Sequence, residues 1–254
     1  MPNLQIILEC SKEEFAHEDL NSLYEEALNL QNKLTFTDNL ALVFFNDRVG
    51  LKDLSNKAKP IFVDFLEGKL AHRRKFGGGR KSEAVARACF GDFKEPIIFD
   101  GTAGLGRDSF VLAYLGAKVH MFERNPIVRI ILKDGLRRAY NSDEANFFKE
   151  HMIFEEEKSI WDYKGDIKPN TVYIDPMYPE RKKSAQVKND MKTFHSLVGF
   201  DNDIEKLLTS ALEIAQNRVV LKRPQYAQKE LENFLMGSVE TDSQRFDIYL
   251  PHRT

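Results

Sequence analysis

The chain is poor in cysteine, with two in 254 residues, and neither Cys10 nor Cys89 has a metal-like spacing or other candidate ligands nearby. This sets aside zinc-ribbon and disulfide frameworks, leads us to expect no metal, and reads as two reduced thiols in a cytoplasmic protein. No apolar run approaches the length of a membrane helix, and the N-terminus lacks a basic-then-apolar pattern, so no membrane association is expected. Charge of one sign is also lacking. With a net charge of −2, any contact with nucleic acid has to come from local basic patches. Internal repeats and low-complexity tracts are absent. The remainder, 42% hydrophobic and 30% charged, is ordinary globular composition, sufficient for one large domain or for a core domain with a smaller companion.

The most informative stretch is Ile97-Ile98-Phe99-Asp100-Gly101-Thr102-Ala103-Gly104-Leu105-Gly106-Arg107-Asp108. Three apolar residues lead into a carboxylate, and a glycine-rich turn then opens a helical pattern from Ser109 to Leu115. A buried strand, tight loop and helix N-terminus of this kind bring backbone N–H groups close to a nucleotide-like ligand in doubly wound α/β proteins. Gly101, Gly104 and Gly106 spell G-x-x-G-x-G, not the G-x-G-x-x-G of dinucleotide binders. Asp100, directly before the first glycine, suits a ligand bearing an ammonium group, such as S-adenosylmethionine, better than a pyrophosphate. A plain β-to-α turn uses glycine in the same way, so the loop alone does not decide.

The next strand, Ala117–Phe122, ends in Glu123, 23 positions after Asp100. An acid at about that distance can accept hydrogen bonds from both ribose hydroxyls of a nucleoside. Asn125-Pro126 predicts an N-cap with proline in the first helical position, opening a helix to about Tyr140. Strand, loop, helix, strand and acid agree in order and spacing.

A third signal lies at Thr171–Pro179, where an apolar strand delivers Asp175-Pro176-Met177-Tyr178-Pro179 to the carboxyl edge of a sheet. Asp-Pro-x-aromatic is close to the [Asn/Asp]-Pro-Pro-[Tyr/Phe] tetrapeptide of methyltransferases that act on exocyclic amino groups. Such an amino nitrogen is a poor nucleophile because its lone pair is delocalised into the base. Asp175 and the Pro176 carbonyl can accept its hydrogens, and Tyr178 can stack on the base. A strand followed by a proline turn is the competing reading.

Around these signals the chain divides into residues 1–66, a small α/β unit; 67–81, a basic glycine-rich connection; and 82–254, the ligand-binding domain. In the first unit we expect a strand at Leu4–Leu8, a helix over Lys12–Leu30, a hairpin from Leu40–Phe45 and Val49–Leu54, and a strand at Ile61–Phe65. The connection carries Lys69, Arg73, Arg74, Lys75, Arg80 and Lys81 around Gly77-Gly78-Gly79, with Phe76 beside them. Cations, an aromatic ring and open backbone N–H groups suit a phosphate backbone with a stacked base, and equally a flexible linker. The segment Glu180–Phe200, with Lys182, Lys183 and His195, reads either as a lid over a flipped base or as a solvated helix. Helices at Ser82–Phe90 and Asn202–Gln216, a buried strand at Arg218–Leu221 and a last strand at Arg245–Leu250 on an antiparallel edge complete the pattern.

The strings His72–Arg80, Thr102–Asp108, Glu123–Pro126, Asp175–Pro179, Ser196–Gly199, Lys222–Pro224 and Arg245–Tyr249 resemble the bacterial ribosomal small subunit methyltransferase J family. The resemblance runs from about residue 60 to 250. It implies a class I, Rossmann-like methyltransferase fold, a doubly wound, mostly parallel sheet with a small N-terminal α/β domain. It also implies transfer of a methyl group from S-adenosylmethionine to a guanine N2 of 16S rRNA in the small ribosomal subunit. The cofactor contacts it carries over are Arg107, Asp108, Glu123, Arg124, Ser159 and Asp175, beside Asp100, Gly101, Gly104 and Gly106 of the loop. Members often have two adjacent serines where this chain has Lys158-Ser159, and Met177 replaces a proline of other amino methyltransferases. Catalysis is expected of Asp175, Pro176 and Tyr178, and RNA binding of Arg73, Arg74, Lys75, Arg80, Lys182 and Lys183. The alternatives are an adenine-N6 methyltransferase on the same scaffold, a nicotinamide oxidoreductase, disfavoured by the glycine order, and a non-catalytic RNA-binding assembly factor.

If the basic connection touches phosphates, alanine at Arg73, Arg74, Lys75 and Arg80 will flatten the salt dependence of RNA binding by roughly one log–log unit per lost contact. Filter binding across a salt series measures this, and an unchanged slope would leave the segment a linker.

Overall fold

The computed structural model describes residues 4–31, 33, 39–67, 78–178 and 203–251. The first sheet holds β1 (Gln5–Leu8), β2 (Leu40–Phe44) and β3 (Val49–Asp53). β1 runs parallel and β3 antiparallel to the central, fully buried β2. Helix α1 (Glu18–Gln31) buries Leu20, Leu23 and Ala27.

The second sheet has seven strands. In chain order they are β4 (Ile97–Asp100), β5 (Lys118–Met121), β6 (Met152–Phe154), β7 (Thr171–Ile174), β8 (Arg218–Pro224), β9 (Leu235–Glu240) and β10 (Gln244–Tyr249). In space they run β6-β5-β4-β7-β8-β10-β9. The first five are parallel and read as short apolar runs because both faces are covered. One face carries α2 (Ala84–Phe90), α3 (Arg107–Tyr114), α4 (Pro126–Tyr140) and α5 (Ala145–His151). On the other lies α6 (Ile204–Ile214), which buries Leu207, Leu208, Ala211 and Leu212 against Val172, Val219 and Leu221. Strand order reverses between β4 and β7, opening a crevice at their carboxyl ends. The doubly wound, mostly parallel sheet is therefore as the sequence predicts.

One apolar cluster joins the two sheets, running from Leu20 and Phe44 through Phe65 to Phe110, Ile131 and Phe148. Phe65 stacks on Phe110 with ring centroids 5.7 Å apart. Charges clamp the same seam. Fully buried Asp134 of α4 pairs with Arg137 and Arg138, and those arginines reach back to the Asp47 carbonyl and the Asp64 carboxylate.

Three local expectations are corrected. The helix expected over Lys12–Leu30 is interrupted, because the N–H of Ala16 leaves the helical pattern to bond the Asn46 carbonyl at 2.7 Å; a short 3-10 turn, Lys12–Glu14, precedes α1. Ile61–Phe65 makes one bridge, Ile61 to Leu51, and no strand. Its next residues turn to α4, where Arg138 takes the Val63 carbonyl and Val63 packs on Gly135. The last strand is not the edge, since β9 pairs outside it. The sequence does not predict β9, because Leu-Met-Gly-Ser-Val-Glu buries no residue fully and its alternating exposure is not matched by alternating apolar and polar residues.

Replacing Phe65 by alanine removes a fully buried ring from the shared cluster and should cost about 3–5 kcal/mol. Denaturant unfolding followed by circular dichroism checks this, and a cost under ~1 kcal/mol would show that the seam does not carry the fold.

Candidate active site

The glycine loop is held open by a small set of backbone bonds at the strand ends. The N–H of Gly101 donates to the Tyr173 carbonyl at 2.8 Å, fastening β4 to β7. The N–H of Ala103 donates to the Phe122 carbonyl at 2.9 Å, fastening the loop to β5. Gly104 and Gly106 have φ of 54° and 69°, the left-handed region that other residues avoid. A Cβ on Gly106 would also stand 2.9 Å from the Phe65 ring. Gly106 then caps α3, whose first residues are Arg107 and Asp108.

Around this loop lies a cavity of about 830 Å³. It brings together Asp100, Gly101, Gly104, Arg107, Asp108, Glu123, Arg124, Asp175, Pro176 and Tyr178, all singled out from the sequence. It also brings residues the sequence reading did not place there: Thr102, Asn125, Tyr173, Met177, Lys222, Arg223, Pro224, Tyr226, Ser243 and Gln244. Gly106 shapes the loop without lining the cavity. Ser159 lies just outside the lining, its hydroxyl buried without a hydrogen-bond partner among the described residues, next to Ile160, which packs near Gly101.

Arg80 stands apart from the cavity. Its Nε donates to the Leu115 carbonyl at 2.8 Å and its guanidinium lies over the Phe90 ring at 4.4 Å, so it braces α2 against α3. Arg73, Arg74, Lys75, Lys182 and Lys183, with the expected lid, lie outside the described residues.

The acids differ in setting. Asp100 is almost wholly buried; Ser109 donates to one oxygen at 2.5 Å and the N–H of Thr102 to the other at 3.2 Å. Burial pushes its pKa up to about 7 against those two hydrogen bonds, with Asp108 and Asp175 adding to the rise. Glu123 accepts from the N–H of Gly104 at 2.8 Å and of Asn125 at 2.7 Å. Burial raises its pKa too, opposed by those backbone donors. Arg124 adds a third backbone donor and a nearby positive charge, and the carboxylate lines the cavity, where ribose hydroxyls can reach it. Asn125 caps α4 as expected, accepting from Ile127 and Val128.

At the far wall, the N–H of Asp175 donates to the Thr102 hydroxyl at 2.6 Å, fixing the strand end to the loop. Lys222 of β8 sends Nζ to Asp108 at 2.8 Å and to Asp175 at 2.7 Å, and the Tyr173 hydroxyl donates to the same Asp108 oxygen at 2.6 Å. Arg223, fully buried, holds Asp247, Glu230 and the Tyr178 hydroxyl, each at 3.3 Å. The Tyr178 ring is thus backed by a guanidinium, its centroid 5.7 Å away.

This donor set fits S-adenosylmethionine. The acid at the β5 end suits the ribose, the buried acid and open glycine loop suit the methionine end, and the orphaned Ser159 hydroxyl has room for a partner. Among the described residues no cluster could hold a metal ion, and no helix is long and apolar enough to cross a membrane.

Comparison with known proteins agrees. The family described as "Putative SAM-dependent methyltransferase" matches residues 24–251. The chain is 47% identical to ribosomal RNA small subunit methyltransferase J of Serratia proteamaculans, over 84% of this chain and 87% of that protein. It is 44% identical to the protein of that name from Tolumonas auensis, over 90% and 93%. A crystal structure of a SAM-dependent methyltransferase from Neisseria gonorrhoeae superposes with a TM-score of 0.73 at 32% identity, over 98% and 97%.

Two outcomes are expected of S-adenosylhomocysteine, which keeps the ammonium and the ribose. Glu123→Ala removes two charge-assisted acceptors worth roughly 1.5–3 kcal/mol each and should weaken binding at least about tenfold; unchanged calorimetric affinity would refute the ribose assignment. Asp100 titrates near 7, and an ammonium favours its ionised form. Binding therefore releases a proton, and affinity is full above that pH and lost as pH falls through it. Up to about tenfold weaker binding is expected at pH 6 than at pH 8, with Asp100→Asn flattening the curve. A pH-independent wild-type affinity would place the ammonium elsewhere.

Proposed function

The chain belongs to the ribosomal RNA small subunit methyltransferase J family, and on that footing we propose that it methylates the exocyclic N2 of a guanine in 16S rRNA. The observation that carries the reading is the adjacency of Asp175 to the glycine loop: one hydrogen bond, to Thr102, separates the residue suited to the amino group from the residues suited to the donor. Arg107, Asp108, Glu123, Arg124 and Ser159 hold the donor, which when bound supplies a methyl group on an electrophilic sulfonium.

Asp175 and the Pro176 carbonyl accept the two amino hydrogens, turning the nitrogen lone pair out of conjugation and toward the methyl carbon. As the new C–N bond forms, the C–S electron pair returns to sulfur, and the nitrogen sheds a proton to Asp175 or to water. Tyr178, braced by Arg223, holds the base by stacking. Most of the rate gain comes from alignment of nitrogen, methyl carbon and sulfur. Phosphate contacts fall to the basic connection at Arg73, Arg74 and Lys75 and to Lys182 and Lys183, while the position of Arg80 suits bracing. The protein acts in the cytoplasm, where its RNA substrate is.

Mass spectrometry of rRNA fragments after incubation with enzyme and donor tests the reading. A single added methyl on a guanine N2 is expected, and methylated adenine would favour the adenine-N6 alternative. Asp175→Asn keeps shape and one acceptor but loses the charge. Single-turnover methylation should fall at least about a hundredfold with folding and RNA binding intact. A near-normal rate would assign the chemistry to the Pro176 carbonyl and positioning alone.

A further inference from the structure

Among the described residues, Lys222 is a cation built into the cavity wall between two acids, and it has no part in the mechanism above. Lys222 leaves β8 one strand away from Asp175, and its ammonium lies 2.7 Å from Asp175 and 2.8 Å from Asp108. Its side chain is 14% exposed, against 38% for Asp175. A long, solvated lysine gains nothing from that burial unless its partners return the lost hydration.

Acids reach this neighbourhood from three elements, in a cavity that Arg107 also lines. Asp108 comes from α3, Asp175 from the end of β7, and Asp100 from β4 behind them, with the Tyr173 hydroxyl on Asp108. Arg223, the next residue along β8, turns to Asp247, Glu230 and Tyr178. Three carboxylates, Asp100 buried and Asp108 and Asp175 partly exposed, stand in one corner, and like charges so placed favour protonation of at least one of them. A protonated Asp175 would present an O–H where the amino group needs an acceptor.

Resting on the guanine-N2 reading, we propose that Lys222 is the positioning residue of the methyl transfer. It holds Asp175 as an ionised acceptor at neutral pH and ties it to Asp108 at the head of the donor-binding helix. Burial disfavours the lysine's charge, but the two carboxylates outweigh it and raise its pKa above the ordinary lysine value. The same bridge fixes the distance between the donor's helix and the amino acceptor, the quantity on which in-line transfer depends.

The test is the pH profile of kcat for methylation of RNA at saturating donor and RNA, so that Asp100, which acts on donor binding, drops out. Lys222→Met removes the ammonium that lies between Asp108 and Asp175. The acid limb should move up by about one pH unit or more, lowering the rate at pH 7 about tenfold, with recovery toward pH 9. Lys222→Arg restores a cation and should return the limb to its wild-type position even if the rate is lower. Asp108→Asn removes the competing charge and should move the limb down, which keeps the idea testable if the methionine variant does not fold. An acid limb that stays in place in Lys222→Met overturns the proposal, whatever the drop in rate, as does an upward or absent shift in Asp108→Asn. A wild-type enzyme that puts no methyl on guanine N2 would refute the guanine-N2 reading instead.

Discussion

The pairing of β4 with β7 is the constraint from which the site follows. At that point strand order reverses, so the segments after the two strands diverge to opposite faces and leave a crevice between them. Two hydrogen bonds set its width, Gly101 to the Tyr173 carbonyl and Asp175 to the Thr102 hydroxyl. The first needs a glycine loop that lies close to the neighbouring strand, and the second needs a side-chain acceptor directly after that glycine. Much of the chemical character of the cavity hangs from one of these two strand ends or from the strand beside each. Glu123 follows β5, and Lys222 sits on β8, so the two outer neighbours supply the ribose acceptor and the cation.

Electrostatics then divides one cavity into two regions. Near the loop, Asp100 and Glu123 are buried acids satisfied mainly by neutral donors, from Ser109 and from backbone N–H groups. Such groups are poised to receive a ligand's ammonium and hydroxyls because a hydroxyl and backbone N–H groups donate to them, with Arg124 the nearby charge at Glu123. At the far wall, Asp108 and Asp175 are already paired with Lys222, and Tyr178 with Arg223. That wall is organised before any ligand arrives. Paired acids next to unpaired ones explain how similar carboxylates a few residues apart take different parts in one reaction.

Most of this was legible in the sequence because it is local. The loop, the Asn125 cap and the acid at the β5 end are each encoded within a few residues, and Asp175-Pro176 follows its own strand. What escaped is what depends on non-local pairing. Lys222 looked like an ordinary lysine in a Lys-Arg-Pro string, and only the parallel register of β8 against β7 delivers it to Asp175. Ser243 and Gln244 reach the cavity because β10 inserts between β8 and β9, an order no periodicity reveals. Arg80 misled for the converse reason. A cation in a basic glycine-rich string reads as a phosphate contact, yet here it is spent on a carbonyl and an aromatic face.

The buried Asp100 also links function to stability. In the unfolded chain this carboxyl ionises near its ordinary value, whereas in the fold it does so only near pH 7. A group whose folded pKa is raised contributes stability that is full below the unfolded pKa and is lost as pH rises through the folded one. At neutral pH and above, the ligand-free fold therefore carries an acid whose ionisation it opposes. A helix cap or a surface position would avoid this cost, but would not leave a poorly solvated anion facing the cavity. An ammonium brought by the donor relieves the same imbalance, so part of the donor's binding free energy is stability that the empty loop gives up.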